Sequence, residues 1–336
     1  MTLTTPDPYP FKSIPLFKPK PWGGRKLEEI FHKPLPDGEK IGESWEAADI
    51  PEGASTIGNG SLREQSLSNA VQLWGKDLVG SRWDSYDRFP LLVKILDARE
   101  NLSVQVHPDE ESCEKFFPEH NSKDESWIVM ESDPDGAIFR GFEKDVTLDD
   151  FLEKLEKNEV TEILRKIPVK KGDSVRNAPG TVHALLKGVV LLEVQEPSDS
   201  TFRIYDYGRK VDGKPRPLHI EEAKKVMKFD WEENPLLVPE KREISAGLRE
   251  IIVNCDSYRL EKWTISQRME MNALPETVRI LFCMEGKAIL KGDSEEIAVN
   301  PGDTIIIPAV CKNMRLSPDG TCAFCCAGAG NIELMK

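Results

Sequence analysis

Residues 101–110 read NLSVQVHPDE and predict a β-strand whose two faces differ in character. Side chains alternate along a strand, so Gln105 and His107 point to the same side. The apolar side chains point to the other side, towards a core, and they are Leu102, Val104 and Val106. Pro108 ends the strand, because proline has no N–H to donate to a neighbouring strand. The stretch therefore presents an amide and an imidazole together on one face.

A lone histidine on such a strand is more typical of a solvated edge than of a ligand site. Two further residues change this interpretation. Glu125 begins the strand-like run ESWIVME, on the same face as Trp127 and Val129, and His183 lies in the Gly/Pro-shaped loop APGTVH. Two imidazoles, one carboxylate and one amide oxygen are donors that suit Zn²⁺. Four protein ligands are typical of a closed zinc site, but a weakly held amide leaves room for a substrate hydroxyl.

Composition limits the possible partners of the protein. The chain has 336 residues, is 39% hydrophobic, and carries seven cysteines and a formal net charge of −13. Diffuse negative charge disfavours nucleic acid, whose binding needs clustered Lys and Arg. No apolar run approaches the roughly 18 residues of a membrane helix, and the N-terminus lacks a signal-peptide pattern. We therefore expect a cytoplasmic protein with reduced thiols and with no nucleic-acid or membrane partner.

Short β-branched or alternating runs dominate the chain, and they predict a mainly β protein with some α. They include FPLLVKILDA, SWIVMES, GVVLLEVQ and TFRIYDY. The clearest helical pattern is TLDDFLEKLEKNEVTEILRKI, residues 147–167, which opens on the capping residue Thr147. Its apolar residues, among them Phe151, Leu155 and Ile163, recur at helical spacing.

A charged, proline-containing stretch at residues 230–247 is typical of a linker, and the chain reads as strands after it. The two parts share a pattern. In VKKGDSVRNAPGTVH, His183 lies eleven residues after the glycine of a Gly-Asp turn, and in VNPGDTIIIPAVCKN the same place holds Asn313. We therefore expect two domains, residues 1–235 and 236–336, and a second domain that has lost its metal ligand.

Several motifs together resemble those of type I mannose-6-phosphate isomerases, a zinc-dependent family of the cupin superfamily. The motifs are QVHPDE, GTVHAL and SDSTFRIYDYGR, and the short bacterial form is resembled further by PWGGRKLEEIF, IGESWEAAD and RFPLLVKILDARENLSVQVHPDEE. They follow the order of the family from about residue 16 to about residue 209. The resemblance implies two cupin-like β-barrel (jelly-roll) domains plus a small helical part.

The resemblance also implies the roles of individual residues. One zinc ion per chain would be held by Gln105, His107, Glu125 and His183. Four other residues fall on active-site positions of the family, and they are Lys94, Lys123, Glu193 and Arg203. Many members read PSGTVH or PAGTVH where this chain reads APGTVH, so the loop before the second histidine departs from the family pattern.

An aldose–ketose isomerase moves a proton between C1 and C2 of a sugar through an enediol. Zinc can fix the sugar oxygens or act as a Lewis acid. An acidic chain repels an anionic substrate unless the site itself is basic. The required positive charge would come from Lys94, Lys123 and Arg203, which would bind phosphate and stabilise the enediolate. Glu193 and Lys123 are both candidates for the general base. We therefore predict the interconversion of mannose 6-phosphate and fructose 6-phosphate.

Two other interpretations stay open. The chain could be a different cupin enzyme, such as an iron-dependent oxygenase or another phosphosugar isomerase, although oxygenases favour two histidines and one carboxylate without a ligand like Gln105. It could also be a non-catalytic, metal-containing sugar-binding cupin, which would give no reason for cations beside the metal. In each case we expect a monomer or a weak homo-oligomer.

Overall fold

The structure is a computed structural model, and it describes residues 6–83, 87–211 and 213–335. Its helices are short: α1 (Lys26–Phe31), α2 (Leu67–Trp74), α3 (Lys76–Val79), α4 (Glu110–Phe116), α5 (Leu148–Glu156) and α6 (Ile220–Val226). Among the described residues, no helix has the length and apolar character that crossing a bilayer requires. Most of the regular structure is β-strand.

The strands before residue 235 are β1 (Phe11–Ile14), β2 (Leu16–Gly24), β3 (Ile41–Ala47), β4 (Asp49–Ile50), β5 (Gly53–Ala54), β6 (Thr56–Ile57), β7 (Leu92–Asp97), β8 (Val104–Val106), β9 (Glu125–Ser132), β10 (Ala137–Phe142), β11 (Leu164–Pro168), β12 (Ser174–Asn177), β13 (His183–Leu185), β14 (Val189–Gln195), β15 (Phe202–Tyr205), β16 (Lys210–Val211) and β17 (Lys214–Pro215). The later strands are β18 (Glu240–Ile244), β19 (Gly247–Asn254), β20 (Tyr258–Ile265), β21 (Met269–Met271), β22 (Arg279–Lys291), β23 (Glu296–Val299), β24 (Thr304–Ile307) and β25 (Met314–Ala329).

Three antiparallel sheets carry the fold. A six-stranded sheet has the order β12-β9-β14-β7-β3-β2, and a five-stranded sheet has the order β11-β10-β13-β8-β15. The third sheet follows the order β18-β19-β20-β25-β22-β24-β1-β6, with β21 and β23 paired to β25 and β22. The third sheet thus takes two strands, β1 and β6, from the N-terminal end of the chain.

The six-stranded sheet is buried on both faces, as the residues of β14 show. Val190, Leu192 and Val194 belong to a core that also holds Val253 and Ile280 of the third sheet. Val189 and Leu191 belong instead to a core shared with Ile138 and Leu185 of the five-stranded sheet. Since alternate residues of one strand enter two cores, the six-stranded sheet is the middle layer of the molecule.

Helices cover the outer face of the five-stranded sheet. Phe151 of α5 and Val226 of α6 share a core with Val104, Val106 and Phe202. The side chains of β8 that alternate with these valines therefore face the six-stranded sheet. This arrangement confirms the predicted core face for Val104 and Val106. The prediction for Leu102 is wrong, because this residue precedes the strand and belongs to the core between the two sheets.

The pattern shared by the two parts of the chain is reproduced in their hydrogen bonds. The N–H of Asp173 donates to the carbonyl of Lys170 at 3.0 Å, and that of Asp303 donates to Asn300 at the same distance. Gly172 and Gly302 have φ angles of 92° and 87°, a conformation that glycine adopts without strain. Both turns lead into a strand, β12 or β24. The sequence pattern therefore marks a repeated local structure.

The prediction of a mainly β protein with some α is confirmed, but the helix predicted at residues 147–167 is too long. Helix α5 ends at Glu156. Asn158 then takes a φ of 59°, in the left-handed region, and Leu164–Pro168 form a strand. The division at residue 235 stays a prediction, and strands β1 and β6 pair with the sheet of the later residues.

The N-terminal cap of α5 can be tested by substituting Thr147. Its side chain accepts the N–H of Asp150 at 3.2 Å, and the Asp150 carboxylate accepts the N–H of Thr147 at 2.8 Å. Removing such a cap with Thr147→Ala should speed hydrogen exchange of the α5 amides by about fivefold. Thr147→Ser keeps the hydroxyl and should match the wild type. Equal exchange rates in the Ala variant would show that the cap does not stabilise the helix.

Candidate metal centre

Three buried side chains converge between the six-stranded and five-stranded sheets. His107 follows β8, while Glu125 and His183 are the first residues of β9 and β13. His107 Nε2 lies 3.3 Å from Glu125 Oε2, and His183 Nε2 lies 3.0 Å from Glu125 Oε1. Two ligands of one tetrahedral zinc ion, each about 2.1 Å from it, stand about 3.4 Å apart. The three side chains therefore have the spacing of ligands to a single ion.

Both imidazoles are oriented by backbone carbonyls. His107 Nδ1 lies 2.8 Å from the carbonyl oxygen of Ser200, and His183 Nδ1 lies 2.8 Å from that of Thr181. A carbonyl only accepts, so each Nδ1 carries the proton and donates. The lone pair is then on Nε2, the atom that faces Glu125. Metal-binding histidines are usually fixed in this way.

The electrostatics of the centre also suit a cation. Burial would raise the pKa of Glu125, but Lys123 and the two imidazoles hold it well below its usual value. Burial, followed by the charge of Lys123, lowers the pKa of His107 to about 3. The carboxylate is thus charged and the imidazole neutral at pH 7. Glu125 Oε2 is buried, and the groups that face it are the Lys123 ammonium and the His107 imidazole.

Gln105 completes the set predicted from the sequence. It pairs with His183 in the strand register, and its Nε2 lies 3.3 Å from His183 Nε2. The amide nitrogen and oxygen of glutamine exchange places by rotation of the terminal group. With the oxygen turned inward, Gln105 fits as a fourth, neutral ligand. Its side chain is half-buried, which distinguishes it from the three fully enclosed residues.

Lys123 is in direct contact with the centre. Its Nζ lies 2.8 Å from Glu125 Oε2 and 3.1 Å from His107 Nε2. The residue is 3% exposed, so the ammonium group is held away from bulk water. The structure therefore places one of the predicted active-site cations beside the candidate ligands.

Lys94 and Glu193 form a second buried group on the six-stranded sheet. Lys94 Nζ lies 3.2 Å from Glu193 Oε1 and donates to Gln195 Oε1 at 2.7 Å. Glu193 accepts the indole N–H of Trp127 at 2.8 Å, and this indole packs edge-on against the His183 ring. Burial, followed by the nearby Glu125 carboxylate, raises the pKa of Glu193. Lys94 and Glu193, which were predicted separately, therefore form an ion pair, and Trp127 connects this pair to His183.

Arg203 lies on β15 and pairs with Gln105 in the strand register. Its Nε donates to Ser103 Oγ at 3.3 Å, and its Nη1 donates to the carbonyl of Pro217 at 3.0 Å. The residue is half-buried, while its neighbours Phe202 and Ile204 point into the helix-covered core. The alternation of this strand holds for residues 202–204 only, because the register shifts after Arg203 and Tyr205 packs against the same core as Phe202. Arg203 stands beside the candidate ligands rather than in contact with Glu125.

Sequence reasoning missed several residues that shape the centre. Asn177 donates to Glu125 Oε1 at 3.4 Å, and its Oδ1 is buried without a hydrogen bond to the described residues. Ser200 orients His107 only through its backbone, which no side-chain pattern reveals. Asp124 was also overlooked, although it adjoins Glu125 and binds the guanidinium of Arg176. The sequence feature that could have indicated Asn177 is its position directly before the loop that leads to His183.

The layered β fold and the buried His–Glu–His cluster define a β-sheet protein with a candidate metal site. Comparisons with known proteins specify the class further. The profile of the family "Phosphomannose isomerase type I, catalytic domain" matches residues 11–158. The profile "Mannose-6-phosphate isomerase, cupin domain" matches residues 250–327.

Individual relatives agree with these profiles. The chain is 32% identical over 317 residues to a probable mannose-6-phosphate isomerase, GmuF, of Bacillus subtilis, covering 94% of this chain and 98% of the relative. It is 32% identical over 304 residues to a mannose-6-phosphate isomerase of Streptococcus mutans, covering 89% and 92%. A solved mannose 6-phosphate isomerase from Bacillus subtilis superposes with a TM-score of 0.85 at 29% identity, covering 95% and 99%. The chain belongs to the type I phosphomannose isomerase family and is an isomerase of that class.

The low pKa of His107 predicts how the metal-free protein responds to acid. In the unfolded chain its imidazole takes up a proton below about pH 6.5, whereas the folded state excludes that proton until about pH 3. Stability is therefore lost as the pH falls through this window, by up to about 1.4 kcal/mol per pH unit. His107→Gln should show a correspondingly smaller decline in urea unfolding between pH 6 and 4. Identical slopes in both proteins, measured in excess chelator, would contradict the assignment.

Proposed function

We propose that the protein interconverts mannose 6-phosphate and fructose 6-phosphate, using one zinc ion held by Gln105, His107, Glu125 and His183. The observation that carries this proposal is the convergence of two oriented imidazoles on a buried, charged carboxylate. Zinc suits this donor set of nitrogen and oxygen atoms. When bound, it would act as a Lewis acid towards the sugar oxygens.

The reaction moves one proton from C2 to C1 and one from O2 to O1, and oxidation of C2 is balanced by reduction of C1. A base removes the proton on C2 of mannose 6-phosphate, and the electron pair forms the C1–C2 double bond of an enediol as O1 gains a proton. Return of a proton to C1 and loss of the proton on O2 then give the ketose. Burial and the Glu125 carboxylate raise the pKa of Glu193, which makes its carboxylate a stronger base than an ordinary glutamate. Lys123 is the other candidate, because it adjoins the ligand atoms.

The cations supply the charge that this substrate needs. We assign phosphate and enediolate binding to Lys94, Lys123 and Arg203, since a buried or half-buried cation acts in a medium of low dielectric constant. Lys94 keeps its proton, because Glu193 and Glu43 raise its pKa against the opposing effect of burial. A local positive field of this kind attracts a phosphosugar to a protein with a net charge of −13.

We also propose that residues 1–235 and 236–336 form two cupin-like β-barrel (jelly-roll) domains, with the zinc in the first. The repeated Gly-Asp turn supports this division. Asn313, in the place of His183, contacts the exposed Asp293. The substrate class and seven free cysteines suit a reducing, cytoplasmic setting. A monomer or weak homo-oligomer remains our expectation.

The activity is tested by coupling fructose 6-phosphate formation to a spectroscopic assay before and after chelation. We expect turnover of mannose 6-phosphate that a chelator abolishes and zinc restores. Parallel assays with glucose 6-phosphate and ribose 5-phosphate distinguish another phosphosugar isomerase. Zinc binding without turnover of any sugar phosphate would favour a non-catalytic sugar-binding cupin.

The ligand set is tested by zinc content. His107→Ala and His183→Ala should each lose most of the bound metal, because each removes a nitrogen ligand and leaves the charged Glu125 poorly compensated. Gln105→Ala should lose less, since a neutral amide is a weaker ligand. His32→Ala, at an exposed helix end, should keep its zinc and is the matched control. Full zinc content in both ligand variants would refute the site.

Arg203 tests the role of the cations. Arg203→Ala should keep its zinc and lower kcat by about 10²–10³, the usual cost of removing one donor to developing negative charge. Arg203→Lys should restore little, since an ammonium lacks the fixed fork of the guanidinium. Arg165→Ala, which loses contacts to backbone carbonyls near Glu233, should retain turnover. A kcat for Arg203→Ala within a few-fold of wild type would reduce this residue to a packing role.

A further inference from the structure

We infer that Tyr258, from the sheet formed by the later half of the chain, is a positioning residue for the metal centre. Its hydroxyl lies 3.0 Å from Asp124 Oδ1 and 2.7 Å from Ser126 Oγ. These two residues flank Glu125 on both sides. The inference rests on the proposed function, because it assigns Tyr258 the task of fixing Glu125 and the adjacent Lys123 for zinc and substrate.

The alternation of strand β9 explains why this contact comes from behind the site. Glu125 and Trp127 face the five-stranded sheet, where the histidines lie. Ser126 and Ile128 therefore face the opposite side, and Ile128 belongs to the core shared with the third sheet. The Tyr258 hydroxyl thus reaches the strand on its rear face. It restrains the backbone of the candidate ligand without entering the site.

The Tyr258 hydroxyl is buried, and its hydrogen bonds fix its orientation. Tyr258 is fully buried, and its ring is packed in the core that joins the two halves. A phenol has one proton, and the Asp124 carboxylate can only accept, so the hydroxyl donates to Asp124 and accepts from Ser126. Arg176 donates to the same Asp124 oxygen at 3.0 Å. The Tyr258 hydroxyl and the Asp124 carboxylate are therefore each held by at least two partners.

Ser257, the residue before Tyr258, makes a second contact that holds the residues before Glu125. Ser257 donates to Glu196 Oε1 at 2.9 Å. The other oxygen of Glu196 accepts the hydroxyl of Ser122 and the N–H of Asp124, each at 2.9 Å. Lys123 lies between these two attachment points. Residues 257 and 258, at the start of β20, therefore secure the whole segment 122–126, which carries both the candidate ligand and the candidate catalytic lysine.

This geometry gives the later half of the chain a task in catalysis, although it offers no group to substrate. Outer partners that orient metal ligands typically contribute 10–100-fold to metal affinity or activity. Small displacements of reacting groups are also costly to turnover. Loss of the Tyr258 hydroxyl should therefore weaken zinc binding and kcat while leaving KM nearly unchanged.

The test compares Tyr258→Phe with Tyr9→Phe. Tyr9 belongs to the same core, and its hydroxyl also makes two hydrogen bonds, to the carbonyl of Asn59 at 3.2 Å and from the N–H of Leu62 at 2.7 Å. Both variants lose one buried hydroxyl, so both should be destabilised to a similar degree in urea unfolding. Only Tyr258→Phe should lower the affinity of the metal-free protein for zinc, by about tenfold in competition with a chelator.

Further variants keep the inference open to refutation. Ser126→Ala removes the same hydrogen bond from the other side and serves as the test if Tyr258→Phe does not fold. The double variant should lose less zinc affinity than the sum of the two single effects, because both remove one contact. Zinc affinity and kcat equal to those of Tyr9→Phe would overturn the positioning role while leaving the isomerase proposal intact. A wild-type protein that neither binds zinc nor turns over substrate would overturn both.

Discussion

The carboxylate of Glu125 has no exposure to solvent, and the need to compensate its buried charge constrains the whole centre. Two imidazoles and one ammonium stand within 3.3 Å of its oxygens. The imidazoles belong to the five-stranded sheet and the carboxylate to the six-stranded sheet. Their contact therefore requires the two sheets to keep one spacing. A charged oxygen that faces two imidazole nitrogens is also an arrangement that gains from a divalent cation.

The spacing is maintained by the middle sheet, whose strands contribute alternate residues to two cores. A slip of one residue along β9 would turn Glu125 towards the core shared with the third sheet, and would bring Ser126 to the imidazoles. Such a slip would bury a charge among apolar side chains without its partners. The apolar residues of β9 oppose it, because Ile128 and Val129 would also exchange cores. Packing of apolar side chains thus determines the register of the polar site.

The residues differ in how far the sequence alone could predict them. Alternation was sufficient for Gln105 and His107, which stand two positions apart on one strand. His183, 78 positions from Gln105, was a candidate by its donor type and its loop, and the family resemblance supported it, because spacing does not show which distant strands are neighbours. Helical periodicity wrongly extended α5 through Ile163, since apolar spacing cannot register the left-handed turn at Asn158. The contact of Tyr258 with Asp124 spans 134 positions and left no local pattern.

The earlier and later parts of the chain are joined by strand pairing and by a shared core. Strand β1 pairs with β24, so the N-terminal end is part of the third sheet, and the largest core draws residues from both halves. Separating the halves would break this pairing and expose that core, at a cost in hydrophobic free energy that grows with the area uncovered. The second half, which has Asn313 where the first has His183, can therefore still influence the metal centre. This influence depends on the hydrogen bonds from Tyr258 to Asp124 and Ser126, on the face of β9 opposite Glu125.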